Sequence, residues 1–241
     1  MPEAPELSII FGTYNRRQML EHAVESIRSS VGALSYEIVI TDGGSTDGSL
    51  EWMRDQRDIV IAGTNNLRGA VSAFNAAWVV SRGRYIANFN DDSVYVGQAL
   101  ENAHEQIAAS SEIGQLALEF DIGGTGWHHA NMPSVQSMTY ANYGMSRREV
   151  VQRVCERQGG PRCYWNPIYH TYAGDCEHSA WVWSMGLRVE ACGHRVSDSH
   201  VNDQLRRKNE TLCWNVRHDD ALFCRRWPDA QTVLAGRPKQ P

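Results

Sequence analysis

Short apolar runs alternate with helical stripes along the first half of the chain. Residues 7–11 (LSIIF), 36–41 (YEIVIT), 58–62 (DIVIA) and 84–89 (RYIANF) have the length and the β-branched or aromatic content of buried strands. Between the first two, Met19, Leu20, Ala23, Val24 and Ile27 fall on one face of a helix. A shorter stripe carries Leu50, Trp52 and Met53, and Ala70, Phe74, Ala77 and Trp78 mark a third helix. Strand and helix in strict alternation predict an α/β fold, with a mostly parallel sheet, right-handed crossovers and helices on its faces.

The second half is less regular. Leu100, Ala103, His104 and Ile107 predict a helix and residues 115–120 a strand. A loop rich in glycine and rings follows over 121–133, then a strand over 135–140, expected to return antiparallel. Residues 147–157 read as a helix with Val150, Val151 and Val154 inward. The aromatic loop over 159–174 (GGPRCYWNPIYHTYAG) is long enough to suggest a functional segment. Asp175 opens a predicted helix through Met185, strands are expected over 187–192 and 195–200, and a charged helix over 202–210. Residues 228–241 read as a polar tail, proline-bearing and expected to fray.

Composition narrows the classes. The net charge of −5 with no basic block argues against nucleic-acid or anionic-membrane binding through bulk charge. No apolar run approaches a membrane span and the start carries no leader pattern, so a soluble, cytoplasmic protein without a transmembrane segment is expected. The six cysteines all follow residue 150 without CxxC spacing, which favours free thiols over a zinc site. Trp165, Trp181, Trp183, Trp214 and Trp227 crowd the C-terminal part and hint at an aromatic-lined surface there.

The candidate chemistry lies where strands end. In open α/β sheets ligands collect at the carboxyl ends of the strands. The 84–89 strand runs into Asn90, Asp91 and Asp92, and the 36–41 strand into Asp42 and the turn GGSTDG. Two adjacent carboxylates repel unless a cation sits beside them, so a divalent ion bridging a diphosphate is one reading and a solvated Asp-Asp turn the other. The dinucleotide fingerprint GxGxxG and the P-loop are absent, and FGTYNRR lacks the glycine-rich loop of a sugar nucleotidyltransferase.

Four blocks taken together resemble the family 2 glycosyltransferases of the GT-A fold over roughly residues 7–200. They are IIFGTYNRRQMLEHAVESI, EIVITDGGSTDGSLEWM, NLRGAVSAFNAAWVVSRGRYIANFNDDS, and AGDCEHSAWVWSMGLRV followed by VSDSH. Three positions depart from the family pattern. Asn90 stands for the first acid of Asp-x-Asp, Gly174 for the first acid of Glu-Asp, and Leu187 for the tryptophan of Gly-Trp-Arg.

The resemblance implies one GT-A domain over 1–227: a nucleotide-binding half over about 1–112 and an acceptor-binding half, with a smaller antiparallel element, over about 113–227. It also implies an inverting, metal-dependent transfer of sugar from a nucleoside-diphosphate sugar, with UDP the expected nucleotide. Asp42 would meet the base ring, with Thr13, Tyr14 and Arg16 lining the base and ribose pocket. Arg68 would contact the diphosphate, Asn90 the ribose, and Asp91 would assist. Asp92 and His200 would bind Mn²⁺ or Mg²⁺. Asp175 would be the base, although an Asp opening a helix can simply be its N-cap. Glu177 is a second-choice base or an acceptor contact, and Trp127, Trp165 and Tyr164 offer faces for sugar stacking. Core burial is the expectation for Trp181 and Trp183. An inactive binding module of the same fold and a sugar nucleotidyltransferase are the alternatives.

Overall fold

A computed structural model describes residues 3–64, 69–198 and 210–240, with only the backbone described over 210–213. The first half follows the predicted alternation: β1 (Leu7–Thr13), α1 (Arg17–Ser30), β2 (Tyr36–Asp42), α2 (Ser49–Arg54), β3 (Ile59–Thr64), α3 (Ala70–Val80) and β4 (Tyr85–Asn88). Then come β5 (Ser93–Val96), α4 (Ala99–Ala108), β6 (Ile113–Ile122), β7 (Ala130–Met132), β8 (Val135–Tyr140), β9 (Gly144–Arg147), α5 (Arg148–Gln158), α6 (Gly174–Ser184) and β10 (Arg188–Asp198). Two further helices, α7 (Glu210–Arg226) and α8 (Ala230–Ala235), complete the described chain.

The main sheet has the strand order β3-β2-β1-β4-β9-β6-β10-β5, and β7 and β8 form a separate antiparallel pair. β1 pairs in parallel with β2 and β4, and β2 with β3, so all four strands deliver their carboxyl ends to one edge. β9 lies antiparallel between β4 and β6, joining the two halves in one sheet. Leu7, Ile9, Ile10 and Phe11 of β1 are all fully buried, as expected for a central strand covered on both faces. α3 lies on β1, β2 and β3, and α1 packs with α4.

Several expectations change. The two predicted C-terminal strands are a single strand, β10, with an irregularity between Cys192 and Arg195. The helix predicted over 202–210 lies almost wholly outside the described residues. α7 was not among the expected elements; its Leu222, Phe223 and Asp219 are buried. The stretch after Trp227 does not simply fray. Asp229 caps α8 by accepting the Thr232 N–H at 2.8 Å, and Val233 is fully buried where α8 meets α6.

The C-terminal tryptophans build core rather than a surface. Trp227 is fully buried and meets Trp181 edge to face at 5.0 Å. Trp165 is 7% exposed and lies on Phe74 with ring centroids 3.9 Å apart. Trp214 is the exception, 58% exposed. The five described cysteines, Cys155, Cys163, Cys176, Cys192 and Cys224, are free thiols.

α7 is held by a buried ion pair. Arg226 donates from Nη2 and Nε to the two oxygens of Glu177 at 3.0 and 3.1 Å. Tyr169, Asn166 and the Trp227 indole donate to the same carboxylate. Burial alone would raise the Glu177 carboxyl, but the bonds from Arg226, Tyr169 and Asn166 outweigh it and the net shift is downward. Removing one partner of such a pair strands the other charge in the core. Arg226→Ala is therefore expected to lower the unfolding free energy by about 3–5 kcal/mol in urea titrations.

Candidate active site

The parallel strands place the first cluster. Thr13 and Asp42 end β1 and β2 side by side, and the chain leaving β4 turns through Asn90, Asp91 and Asp92. Asp91 and Asp92 are only 3% and 2% exposed. Thr13 Oγ1 donates to Asp91 Oδ2 at 2.8 Å. Arg16 Nη1 donates to Asp91 Oδ1 at 2.7 Å and lies 3.6 Å from Asp92 Oδ2. A protein cation thus already sits beside the paired acids. Thr13, Arg16 and Asp91, expected to line a ligand pocket, are bonded to one another.

The rim above this cluster is laced across two loops. Asn15 occupies the left-handed region (φ 49°), which asparagine tolerates better than most residues. Its N–H donates to Ser45 Oγ at 3.0 Å and its Oδ1 accepts from the Thr46 N–H at 2.7 Å. The Arg17 N–H donates to Asp47 Oδ2 at 2.9 Å. Tyr14 lies against Gly43, where an added Cβ would come within 2.9 Å of the Tyr14 Cβ. Asp42 is fully buried and accepts from the N–H groups of Gly44 and Ser45 at 2.7 and 3.0 Å, so it caps its own turn.

Next to the paired acids stands a residue that the sequence pattern did not single out. The Tyr143 hydroxyl, fully buried, donates to Asp198 Oδ2, lies 2.7 Å from Ser93 Oγ, and accepts from Asn90 Nδ2 at 3.1 Å. Asp198 is the last residue of β10, in register with Ser93 of β5. Neither Tyr143 nor Asp198 carries a signal of its own in the sequence, since the bonds span 50 to 55 residues.

The opposite side is built on the start of α6. Ala173, the N-cap, is in the left-handed region (φ 61°), a strained position for a residue with a Cβ. The loop before it is pinned by α7: Asp219 Oδ2 accepts from the N–H groups of His170, Thr171 and Tyr172 at 2.9–3.0 Å. Asp175 is in the first turn of α6, one residue past its first helical position, and is not the N-cap. One of its oxygens accepts the Cys176 N–H at 2.8 Å. Burial pushes its carboxyl up to about 6; the Cys176 N–H opposes the rise and Asp220 adds to it. That is the range in which a carboxylate can take up a proton near neutral pH.

One short segment joins the two sides. Tyr140 is an electrostatic neighbour of Asp175, and Tyr143 bonds to Asn90. The two tyrosines are three residues apart, at most about 10 Å along the chain. Asp175 and the Asp91–Asp92 turn therefore both lie near the segment 140–143.

The remaining expected residues separate. Glu177 has no open face: it is fully buried in the ion pair with Arg226, so it is a structural residue rather than an acceptor contact. Trp165 is likewise packed inside, and Gly174 is required beneath it, since a Cβ there would come within 2.7 Å of the indole. Trp127 is 38% exposed and lies under the Arg195 guanidinium at 4.9 Å. Arg68 and His200 fall outside the described residues. Among the described residues no three His, Cys, Asp or Glu side chains converge as a metal cage. One carboxylate such as Asp92, completed by the phosphates of a substrate, is nonetheless a usual way to hold Mg²⁺ or Mn²⁺.

A sequence profile described as Glycosyl transferase family 2 matches residues 8–164, more than half of the chain. The chain belongs to glycosyl transferase family 2. Its structure is a GT-A fold. The structure of Staphylococcus aureus TarS 1-349 with UDP-GlcNAc superposes on 96% of this chain and 71% of TarS 1-349, with a TM-score of 0.67 and 15% identity. The Pyrobaculum calidifontis mannosyltransferase PcManGT with GDP-Man and Mn²⁺ gives 0.63 at 17% identity, over 90% of this chain and 61% of that one. In sequence, the Escherichia coli UDP-Glc:alpha-D-GlcNAc-diphosphoundecaprenol beta-1,3-glucosyltransferase WfaP is 33% identical over 98 residues. The match spans 40% of this chain and 39% of WfaP.

Arg16 is the charge on which this half of the site rests. Arg16→Met leaves two buried carboxylates without it, and is expected to cost about 3–5 kcal/mol in denaturant unfolding, with Arg16→Lys recovering part of the loss.

Proposed function

We propose that this glycosyltransferase moves a sugar from a nucleoside-diphosphate sugar, UDP-linked, to an acceptor hydroxyl by single, inverting displacement. The observation that supports the reading is a buried acid pair at the strand ends together with Asp175, whose carboxyl is raised, each near the segment 140–143. The WfaP and TarS names both include a UDP-sugar, which supports UDP over GDP, while PcManGT was solved with GDP-Man and Mn²⁺.

On the donor side, Tyr14 and the turn capped by Asp42 form one wall for the base, and Asn90 offers a polar contact to the ribose. Asp92, with His200 as a further candidate, would hold a divalent cation against the diphosphate, and Arg68 would contact the diphosphate itself. When bound, that cation offsets the charge left on the departing nucleoside diphosphate. Arg16 and Thr13 fix the turn so that Asp92 presents its carboxylate without searching for a conformation. On the acceptor side, Asp175 takes the proton of the attacking hydroxyl, and Trp127 is the exposed ring available for sugar stacking. More than half of WfaP and over a third of PcManGT lie outside the match, so the acceptor is left as a hydroxyl of unspecified class.

Thermal shift with UDP, GDP, dTDP and CDP, each with and without Mn²⁺, tests the donor site. UDP with Mn²⁺ is expected to raise the melting temperature, and Asp92→Ala to abolish the metal-dependent part. No shift with any nucleotide would overturn the reading.

The acceptor side has its own test. Because Asp175 acts as carboxylate, kcat/KM for UDP release is expected to rise with pH through about 6 and level above it. Asp220→Asn removes a neighbouring negative charge and should move that limb to lower pH, while Asp175→Asn should cost about 10²–10⁴ in kcat.

A further inference from the structure

The replacement of an acid by Asn90 has a physical reason in the bonds of Tyr143. A phenol has one proton and can accept two hydrogen bonds. A carboxylate only accepts, so the proton goes to Asp198 Oδ2. Ser93 Oγ, 2.7 Å away, must then be a donor to the same oxygen, and Asn90 Nδ2 at 3.1 Å is the second donor. The hydroxyl is saturated: one bond given, two received. This arrangement fixes which way the Asn90 amide faces. With Nδ2 spent on Tyr143, a ligand hydroxyl meets the Asn90 carbonyl oxygen.

An aspartate at position 90 would put an acceptor against an oxygen with no proton left to give. It would also add a further carboxylate to a cluster that already buries Asp91, Asp92 and Asp198. The phenol ring itself is held in the core between Phe89 and Phe120, with centroid separations of 6.1 and 5.7 Å, so the hydroxyl cannot turn away cheaply.

We propose that Tyr143 is a positioning residue for the donor site: its hydroxyl, anchored on Asp198, orients the Asn90 amide so that its carbonyl oxygen receives a ribose hydroxyl of the nucleotide, and this makes asparagine, not aspartate, the residue that functions at position 90. The inference rests on the donor-site reading above.

A double-mutant cycle read by calorimetric titration of UDP in the presence of Mn²⁺ tests it. Asn90→Asp is expected to weaken UDP binding about tenfold in the wild-type background and less than about threefold in the Tyr143→Phe background, where the saturated hydroxyl is gone. Tyr143→Phe alone should raise KM for the donor more than it lowers kcat. A role confined to stability would give equal costs in both backgrounds. Equal costs, or UDP binding by Asn90→Asp as tight as wild type or tighter, would overturn the proposal. Should Tyr143→Phe fail to fold, UDP binding by Asn90→Asp as tight as wild type or tighter would still overturn the proposal. Failure of the wild-type protein to bind UDP would instead overturn the donor-site reading, and the proposal with it.

Discussion

Two adjacent carboxylates, almost fully buried at the edge of a parallel sheet, are the constraint around which this structure is arranged. Burying even one ionised carboxylate is costly unless it is paired and hydrogen-bonded. The chain meets that demand from the end of β1 and the loop after it, where Thr13 and Arg16 reach the acids across some 75 residues of sequence. Arg16 can do so only because the parallel pairing of β1 with β4 brings both strand ends to one edge. Loop lacing through Asn15, Ser45, Thr46 and Asp47 then holds the rim that Arg16 leaves.

The second half of the site follows a different logic. Asp175 stands on a helix whose preceding loop has no strand or helix of its own to define it. Order is imposed from α7, through Asp219 on three consecutive N–H groups and Arg226 on Glu177. The left-handed Ala173 shows that this restraint is strong enough to hold a strained residue two positions before Asp175. A carboxylate kept partly out of water and near another acid is thereby raised toward neutrality, while the fully paired Glu177 two residues later is shifted the other way.

Much of this was legible in the sequence, and what was not has a common cause. Apolar runs and stripes located β1, β2, β4 and α1 to α4, because local periodicity reports burial directly. Asp42, Asp91 and Asp92 stood out as acids at strand ends. Residues whose meaning lies in distant partners were misread or missed. Glu177 looked like an acceptor contact until Arg226, 49 residues on, occupied it; Trp165 looked like a sugar platform until Phe74 covered it. Tyr143 gave no pattern at all, and Asp198 only its place within VSDSH. The departure of Asn90 from the family acid is visible in the sequence, but its matching to a saturated phenol oxygen is visible only in three dimensions.

The most direct measurement is a crystal structure with UDP and Mn²⁺, with the metal located by its anomalous scattering. The expected result is a manganese peak in contact with the Asp92 carboxylate and the diphosphate, with the uracil against Tyr14 and the Asp42 turn. A manganese or nucleotide bound away from the ends of β1, β2 and β4 would contradict the assignment of this edge as the donor site.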